Sequence, residues 1–478
     1  MRAWYQKQEK ALMIGLASIL LSTFLMNLEF NFLESALYDA RMRLGPQPAA
    51  SSDIVIVALD DYSTSKLDEF SPLPLDQHVR FLELIEGYRP KAVGYLVDLS
   101  RSAQSFPESL QSEWSSRLIS SASRLESAGA PFLLGTRFDV NGEVVPPYPL
   151  SLLPHAIAMI HKDGNVFGED KVTRRALVNL YGRNSFHVDL ARKLGLSDRI
   201  TSLRGQFAEP GLDADYVFFR YQGNTQYSAT QPDKNAYPVY SFVDVLDGKV
   251  AAAELAGKII LVGTVARDDS NDFTYTPYSK KPGANPKLIV HANVLDSVLN
   301  DRGLVEAPSW FHFLVTTALI LFVIWSVFTY TPLYGVINTV ALAIGFMAVG
   351  QILFMVRGLW IREAQPLIGI FLSYYLTVPY RLIQEYKQRW DYQRKNDILL
   401  QVEEMKTNFI RLVTHDLKTP VARIQGLAEM VLRKGSRRLE KDETENLRHI
   451  VESTDELNHF ISSILELTKV ESNRVTLT

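Results

Sequence analysis

The chain has 478 residues, 47% of them hydrophobic and 22% charged, with a formal net charge of -3. It is too long for one ordinary domain, too apolar for a disordered chain, and has no basic excess to recruit nucleic acid. The absence of cysteine excludes disulfides, thiolate metal sites and thiol catalysis.

Residues 11–28 form an uncharged apolar run near the minimum length of a membrane helix. Arg2, Lys7 and Lys10 precede it and Glu29 and Glu34 follow it, which places residues 1–10 in the cytoplasm. No small-residue cleavage site follows, so the run reads as an anchor rather than a signal peptide. Three further spans are expected at 310–330, 333–356 and 361–380, with Trp310, Tyr330, Tyr334, Trp360 and Tyr380 at their ends as an aromatic belt. Arg381, Lys387, Arg389, Arg394 and Lys395 follow the last span, as the positive-inside rule asks, whereas Arg357 and Arg362 in the expected outer turn run against it. Four spans put both termini inside, residues 29–309 outside, and lipid around a multi-pass chain.

Within 29–309, short runs rich in Val, Ile and Tyr at 54–59, 92–97, 132–135, 216–221 and 258–262 read as strands. Helical stretches at 78–87, 108–123 and 292–299 alternate with them, so an α/β domain with a mixed or parallel sheet is expected. Asp60, Asp61, Asp98 and Asp272 lie near strand ends, where such folds build sites. Paired carboxylates there suit acid–base or metal chemistry, and turn caps are the plainer reading. His78, His155, His161 and His187 have no metal-ligand spacing, so no metal is expected. Gly257-Lys258 lacks the rest of a phosphate-binding loop.

Taken in order, Tyr38-Asp39-Ala40-Arg41, Ile54-Val55-Ile56-Val57-Ala58-Leu59-Asp60-Asp61 and Leu255-Ala256-Gly257-Lys258-Ile259-Ile260-Leu261-Val262-Gly263 form a pattern. Asp272, Thr276-Pro277 and His291-Ala292-Asn293-Val294-Leu295-Asp296 continue it. This segment resembles a CHASE2 domain, an extracytoplasmic sensor module of bacterial receptors, over roughly residues 29–380. The resemblance implies an extracytoplasmic ligand of unknown identity and a bacterial inner-membrane location. Val97-Asp98-Leu99-Ser100 departs from the family's more apolar loop.

From Arg381 the chain reads as helix for about 50 residues, with 381–402 as a signalling helix. Leu382, Tyr386 and Trp390, then Ile398, Val402, Met405, Phe409 and Leu412, trace a seam that suits a coiled coil. At 100° per residue, Phe409, Val413, Leu417, Pro420, Val421, Ile424 and Val431 share one face. His415 points roughly 160° from the centre of that stripe and is expected to be exposed. Thr419 shares its face, and Arg411 and Lys418 are close enough to attract phosphate. A second helix from about 442 to 470 repeats Leu447, Ile450, Thr454, Leu457, Ile461, Ile464 and Thr468. A basic turn, Arg433-Lys434-Gly435-Ser436-Arg437-Arg438, separates the two. A hairpin of this kind cannot bury both faces alone, so a homodimeric four-helix bundle is expected.

Residues 403–470 resemble the dimerisation and phosphoacceptor domain of a sensor histidine kinase, with His415-Asp416-Leu417-Lys418-Thr419-Pro420 as its H-box. The resemblance implies that His415 accepts the phosphoryl group of ATP-Mg²⁺ and passes it to an aspartate of a response regulator. Asp416 is then the orienting general base, and Thr419 positions water when the regulator is dephosphorylated. The glycine motifs of the family's ATP-binding domain do not appear before Thr478, so 471–478 reads as the start of a linker to an absent domain. A fragment of a longer kinase is the expected reading. The alternative is a non-enzymatic phosphotransfer scaffold that is phosphorylated in trans.

Overall fold

The structure is a computed structural model and describes residues 2–67, 73–99, 108–139, 141–163, 167, 169–196, 202–209, 211–223, 225–228, 231–266, 270–435 and 439–474. Residues 436–438 of the basic turn and 475–478 of the expected linker lie outside these. The chain divides into two compact units, Met1–Leu376 and Thr377–Thr478.

The strands are β1 (Ile54–Leu59), β2 (Ala92–Leu96), β3 (Phe132–Asp139), β4 (Gly142–Val144), β5 (His155–Ile157), β6 (Arg175–Leu180) and β7 (Arg183–Asn184), then β8 (Gln206–Ala208), β9 (Ala214–Phe219), β10 (Val239–Ser241), β11 (Ile259–Thr264), β12 (Gly303–Glu306) and β13 (Leu359–Trp360). The helices are α1 (Arg2–Met26), α2 (Asn31–Arg43), α3 (Asp61–Leu67), α4 (Leu75–Tyr88), α5 (Glu108–Ser127), α6 (Phe186–Lys193) and α7 (Phe242–Leu246), then α8 (Ala252–Leu255), α9 (Lys287–Leu299), α10 (Ser309–Thr329), α11 (Pro332–Arg357), α12 (Ala364–Gly435) and α13 (Lys441–Arg474).

In the first unit a largely parallel sheet runs β10-β1-β11-β2-β3, with β5 parallel and β4 antiparallel to β3. All six residues of β1 are buried, as a parallel strand covered on both faces requires. Alternate side chains feed two cores. Val55, Val57, Val93, Tyr95, Ile260 and Val262 pack with α4, α5 and α7. Ile54, Ile56, Ala92, Ile259 and Leu261 pack with α6 and α9. The expected strand at 216–221 is instead β9 of a second sheet, ordered β13-β12-β9-β6-β7 with β8 beside β9. In that sheet β9 is antiparallel to β6, β8 and β12.

Among the described residues, three helices are long and apolar enough to cross a membrane: α10, α11 and the N-terminal part of α12. The expected first span, 11–28, differs from these. Met13–Met26 passes that test only together with α2, from which it is bent by 86°. The break falls at residues 27–30, where polar Asn27 and Glu29 end the apolar run. Leu25 of α1 and Ile320 of α10 pack together beside Ile368 and Leu372 of α12. A Cβ at Gly369 would lie 3.0 Å from Ile320, so glycine permits this approach.

The helix that carries the expected last span, 361–380, extends well beyond it. Residues 359–360, before that helix, form β13, which pairs Leu359 with Val305 and Trp360 with Glu306 of β12. The helix starts at Ala364, passes through Pro379 and Pro420, and continues to Gly435. Of the two charges that ran against the positive-inside rule, that of Arg362 is engaged here. Arg362 pairs with Glu306 at 2.6 Å, and the Arg357 carbonyl accepts a hydrogen bond from Arg204.

The second unit holds the rest of α12 and its return helix α13. The hairpin buries Thr414, Val421 and Ala428 against Thr454 and Ile461. Gln425 donates to Asp455 and accepts from Asn458, each at 3.2 Å. The expected apolar stripe is mostly not in this seam. Phe409, Val413, Leu417, Ile424 and Val431 are exposed, as are Ile450, Leu457 and Ile464. The two sets lie about a quarter-turn apart, so the closed hairpin leaves a second apolar face open. The seam residues from Leu382 to Leu412 are exposed as well.

Candidate functional site

His415 lies on α12 away from both apolar faces, with its side chain 81% exposed. Its Nδ1 is 3.2 Å from Asp416 Oδ1. A carboxylate there favours the proton on Nδ1 and leaves the Nε2 lone pair facing solvent as a nucleophile. Thr419 lies one turn on, and its hydroxyl donates to the His415 carbonyl at 3.3 Å, so it touches the backbone and not the ring. Pro420 has no N–H for the Asp416 carbonyl, which loosens the helix beside the reactive side chain. Lys418 and Arg411 are exposed, and His449 is an exposed partner of Glu452 at 3.6 Å.

The structure separates the sensor carboxylates. Asp60 is buried at the end of β1, where its Oδ1 accepts from the Ser63 N–H at 2.8 Å and the Ser63 and Ser241 hydroxyls at 2.7 and 2.8 Å. It is the N-cap of α3, the plainer of its two readings. Asp61 is exposed in the first turn of α3. Asp98 and Asp272 alone among the four line a common crevice, with Arg137 3.7 Å from Asp98.

The histidines of the sensor domain are packing groups. His78 Nδ1 meets the Tyr95 hydroxyl at 2.6 Å, and burial pushes its imidazole down to about 4. His187 Nε2 and His291 Nδ1 are 2.9 Å apart in a stacked pair, and burial pushes His187 down to about 3. Burial and then Arg175 bring His161 down to about 4. Among the described residues no group of three or more His, Asp or Glu could hold a metal ion.

One cluster was missed in the sequence. Glu34 of α2 is buried and accepts from the Trp360 indole at 3.0 Å and from the backbone N–H groups of Glu363 and Ala364 at 2.8 Å each. It thus caps the start of α12. Arg41, two turns further along α2, pairs with buried Glu363 at 2.9 Å. Nearby, Arg174 is fully buried and donates to Asp39 at 2.7 Å and to Asp170 at 2.8 Å. The signal was present: two acidic residues, Glu34 and Glu363, sit beside apolar runs where unpaired charge is costly.

Comparison with known proteins follows this geometry. The CHASE2 domain family matches residues 13–330, more than half of the 478. The chain belongs to the CHASE2 domain family. The His Kinase A (phospho-acceptor) domain matches residues 405–473. Sensor protein KdpD of Clostridium acetobutylicum is 31% identical over 85 residues, covering 18% of this chain and 9% of KdpD. Hybrid signal transduction protein dokA of Dictyostelium discoideum is 31% identical over 86 residues, covering 18% of this chain and 5% of dokA. The matches thus span less than a tenth of either relative. No solved structure matches.

In this CHASE2 chain the motif residues act as tethers. Tyr38 packs among Phe167, Phe218, Phe354 and Trp360 with ring centroids 5.2–5.9 Å apart. Asn293 accepts from the Gln222 N–H at 2.7 Å. Asp296 accepts from the Ser51 N–H at 2.8 Å and the Tyr237 hydroxyl at 3.0 Å. They bind the first strand, the second sheet and α9 into one body.

Proposed function

We propose that this chain is the sensor, membrane and phosphoacceptor part of a two-component histidine kinase, with His415 as the phosphorylated residue. The observation that carries this is the exposed imidazole held at Nδ1 by Asp416 on a hairpin helix. Nε2 attacks the γ-phosphorus of ATP-Mg²⁺, an N–P bond forms, the bond to ADP breaks, and Asp416 stabilises or takes the Nδ1 proton. The phosphoryl group then passes to a response-regulator aspartate, and Thr419 directs water in the reverse, dephosphorylating mode. ATP and Mg²⁺ are substrates brought by an ATP-binding domain supplied from outside residues 1–478.

The apolar face left open by the hairpin supports a homodimeric bundle. The three apolar helices and the bent N-terminal pair support a multi-pass membrane protein, with both termini in the cytoplasm and the CHASE2 domain outside. The Glu34 cap supports a route by which the sensor domain moves the start of α12, and through that helix the H-box.

The test is phosphorylation of the full chain in detergent with radiolabelled ATP-Mg²⁺, alone and with an added kinase ATP-binding domain. Acid-labile label with the added domain, absent from His415→Ala, is expected. Label that persists in His415→Ala, or none with a cognate domain, overturns the reading. Label without the added domain places a nucleotide site within this chain.

A further inference from the structure

Helix α2 is built inside out. Of its 13 residues, Glu34, Ser35, Tyr38, Asp39, Arg41 and Met42 are buried. At 100° per residue they fall on one face, which therefore carries two carboxylates and a guanidinium. The opposite face holds Phe32, Leu33, Ala36, Leu37 and Ala40, with Leu44 one residue past the helix. Phe32 is 82% exposed and Leu44 61%, Leu33 and Ala36 are exposed as well, and Leu37 and Ala40 are half-buried. Arg43 is the one charge on that side. A helix whose free face meets water has the reverse pattern, apolar inward and charged outward.

What covers the apolar face follows from where α2 sits. It leaves the apolar stretch of α1 through the 86° bend, so it runs across the direction of that helix. Its far end is held to α11, where Gln351 donates to the carbonyls of Arg41 at 3.2 Å and Leu44 at 2.7 Å. Helix α11 continues past Gln351 to Arg357, so at 1.5 Å per residue this contact lies about 9 Å inside the end of the helix. The near end of α2, through Glu34, caps α12 where that apolar stretch begins. Both ends of α2 are thus level with the outer ends of spans, and its free face continues the apolar surface of α1. We infer that this face lies in the lipid leaflet on the sensor-domain side, at the boundary between headgroups and acyl chains. Phe32, Leu33, Ala36 and Leu44 enter the acyl region, and Arg43 extends along the surface towards the phosphates. Glu34 is on the opposite face, so the leaflet bears on the same helix that caps α12.

Because this placement rests on the reading of a multi-pass membrane protein, one label tests that reading separately. The chain has no cysteine, so a single introduced cysteine carries a nitroxide at one known place. The full chain is reconstituted into phosphatidylcholine vesicles as Leu33→Cys, Ala36→Cys or Leu44→Cys, each spin-labelled. Electron paramagnetic resonance then measures collision of the label with oxygen and with a water-soluble nickel chelate. Ile344→Cys, exposed midway along α11, is the lipid reference, and Asp61→Cys, exposed on α3, is the water reference. The three labels at α2 are expected about 5–10 Å below the lipid phosphates, between the two references. The variants are independent, so one that fails to fold leaves the others to decide. Labels at α2 that read as water while Ile344→Cys reads as lipid overturn the inference. Labels that neither reagent reaches, with spin–spin broadening that is lost on dilution with unlabelled chain, put a second copy on this face and overturn it too. If Ile344→Cys also reads as water, the membrane reading falls and the inference with it.

Discussion

In the first unit Asp39 is buried and held at 2.7 Å by a guanidinium that is itself out of solvent. In the second unit Asp416 stands in solvent with its side chain 77% exposed, 3.2 Å from a histidine ring. The same residue type appears in a short motif in both places, and the surroundings assign opposite tasks. A carboxylate surrounded by fixed donors is a tether, because any change of its charge would be costly. A carboxylate in solvent is held by no fixed donor, which suits the role proposed for Asp416 beside His415. The apolar residues divide in the same sense. In the first unit they fill two cores around the sheet, and in the second Phe409, Leu417 and Ile424 are exposed, on the face where a partner helix is proposed.

The contrast breaks most easily at the exposed pair. His415→Gln should abolish phosphoryl label, and Asp416→Asn should cut the labelling rate by about 10²-fold or more while leaving the melting curve unchanged. A large loss of stability in Asp416→Asn would make it a tether like Asp39. At the buried end, Arg174→Met takes the buried guanidinium from Asp39 and Asp170 and leaves them the half-exposed Lys280, 3.5 and 2.7 Å away. The expected cost is about 3–5 kcal/mol, read as a fall in the denaturant midpoint of the full chain. A loss below about 1 kcal/mol would mean the cluster is solvated and the comparison is wrong.

How far these roles were legible depends on range. His415 was readable because its neighbours in sequence are its neighbours in space: the helical period alone takes it off both apolar faces. The parallel strands were readable from uninterrupted Val and Ile runs. The hairpin seam was harder, because small and polar residues (Thr414, Ala428 and Thr454) fill it while larger ones face outward. The Ser241 partner of Asp60 was not legible, because it is 181 positions away. The Glu34 cap joins residues some 330 positions apart, and β13 is a strand of two residues, too short for any periodicity.

Acid titration sharpens the same comparison. His78 is buried and pushed down to about 4 from an ordinary value near 6.5. The unfolded chain therefore binds its proton more tightly, and stability is fully present above pH 6.5 and lost as pH falls towards 4. Its full development is on the order of 3 kcal/mol. His187 and His161 act in the same direction. Asp163, pushed up to about 6 by burial against the pull of Arg175 and Arg174, acts oppositely: its contribution is largest below about pH 4 and falls as pH rises through 6. The histidines outnumber it, so the sensor domain should melt earlier at pH 5 than at pH 7. A melting temperature that rises on acidification would count against neutral buried imidazoles.

The smallest effect is the most informative about coupling. Glu34 satisfies the Glu363 and Ala364 N–H groups, which would otherwise be orphans at the start of a helix. Removing a capping acceptor costs about 0.5–2 kcal/mol, too little to unfold the sensor domain. Concentrated at one helix start, that loss should raise amide hydrogen exchange over residues 363–367 by about 10-fold in Glu34→Ala, while the buried strands β1 and β11 stay unchanged. If sensor movement reaches the H-box through this cap, the same variant should also alter the labelling rate of His415, although Glu34 lies far from it in sequence and belongs to the other unit. Faster exchange without a change in labelling would leave Glu34 a tether of the first unit only, like Asp39. Unchanged exchange would mean that the start of α12 is held by Arg41 and Glu363 without it.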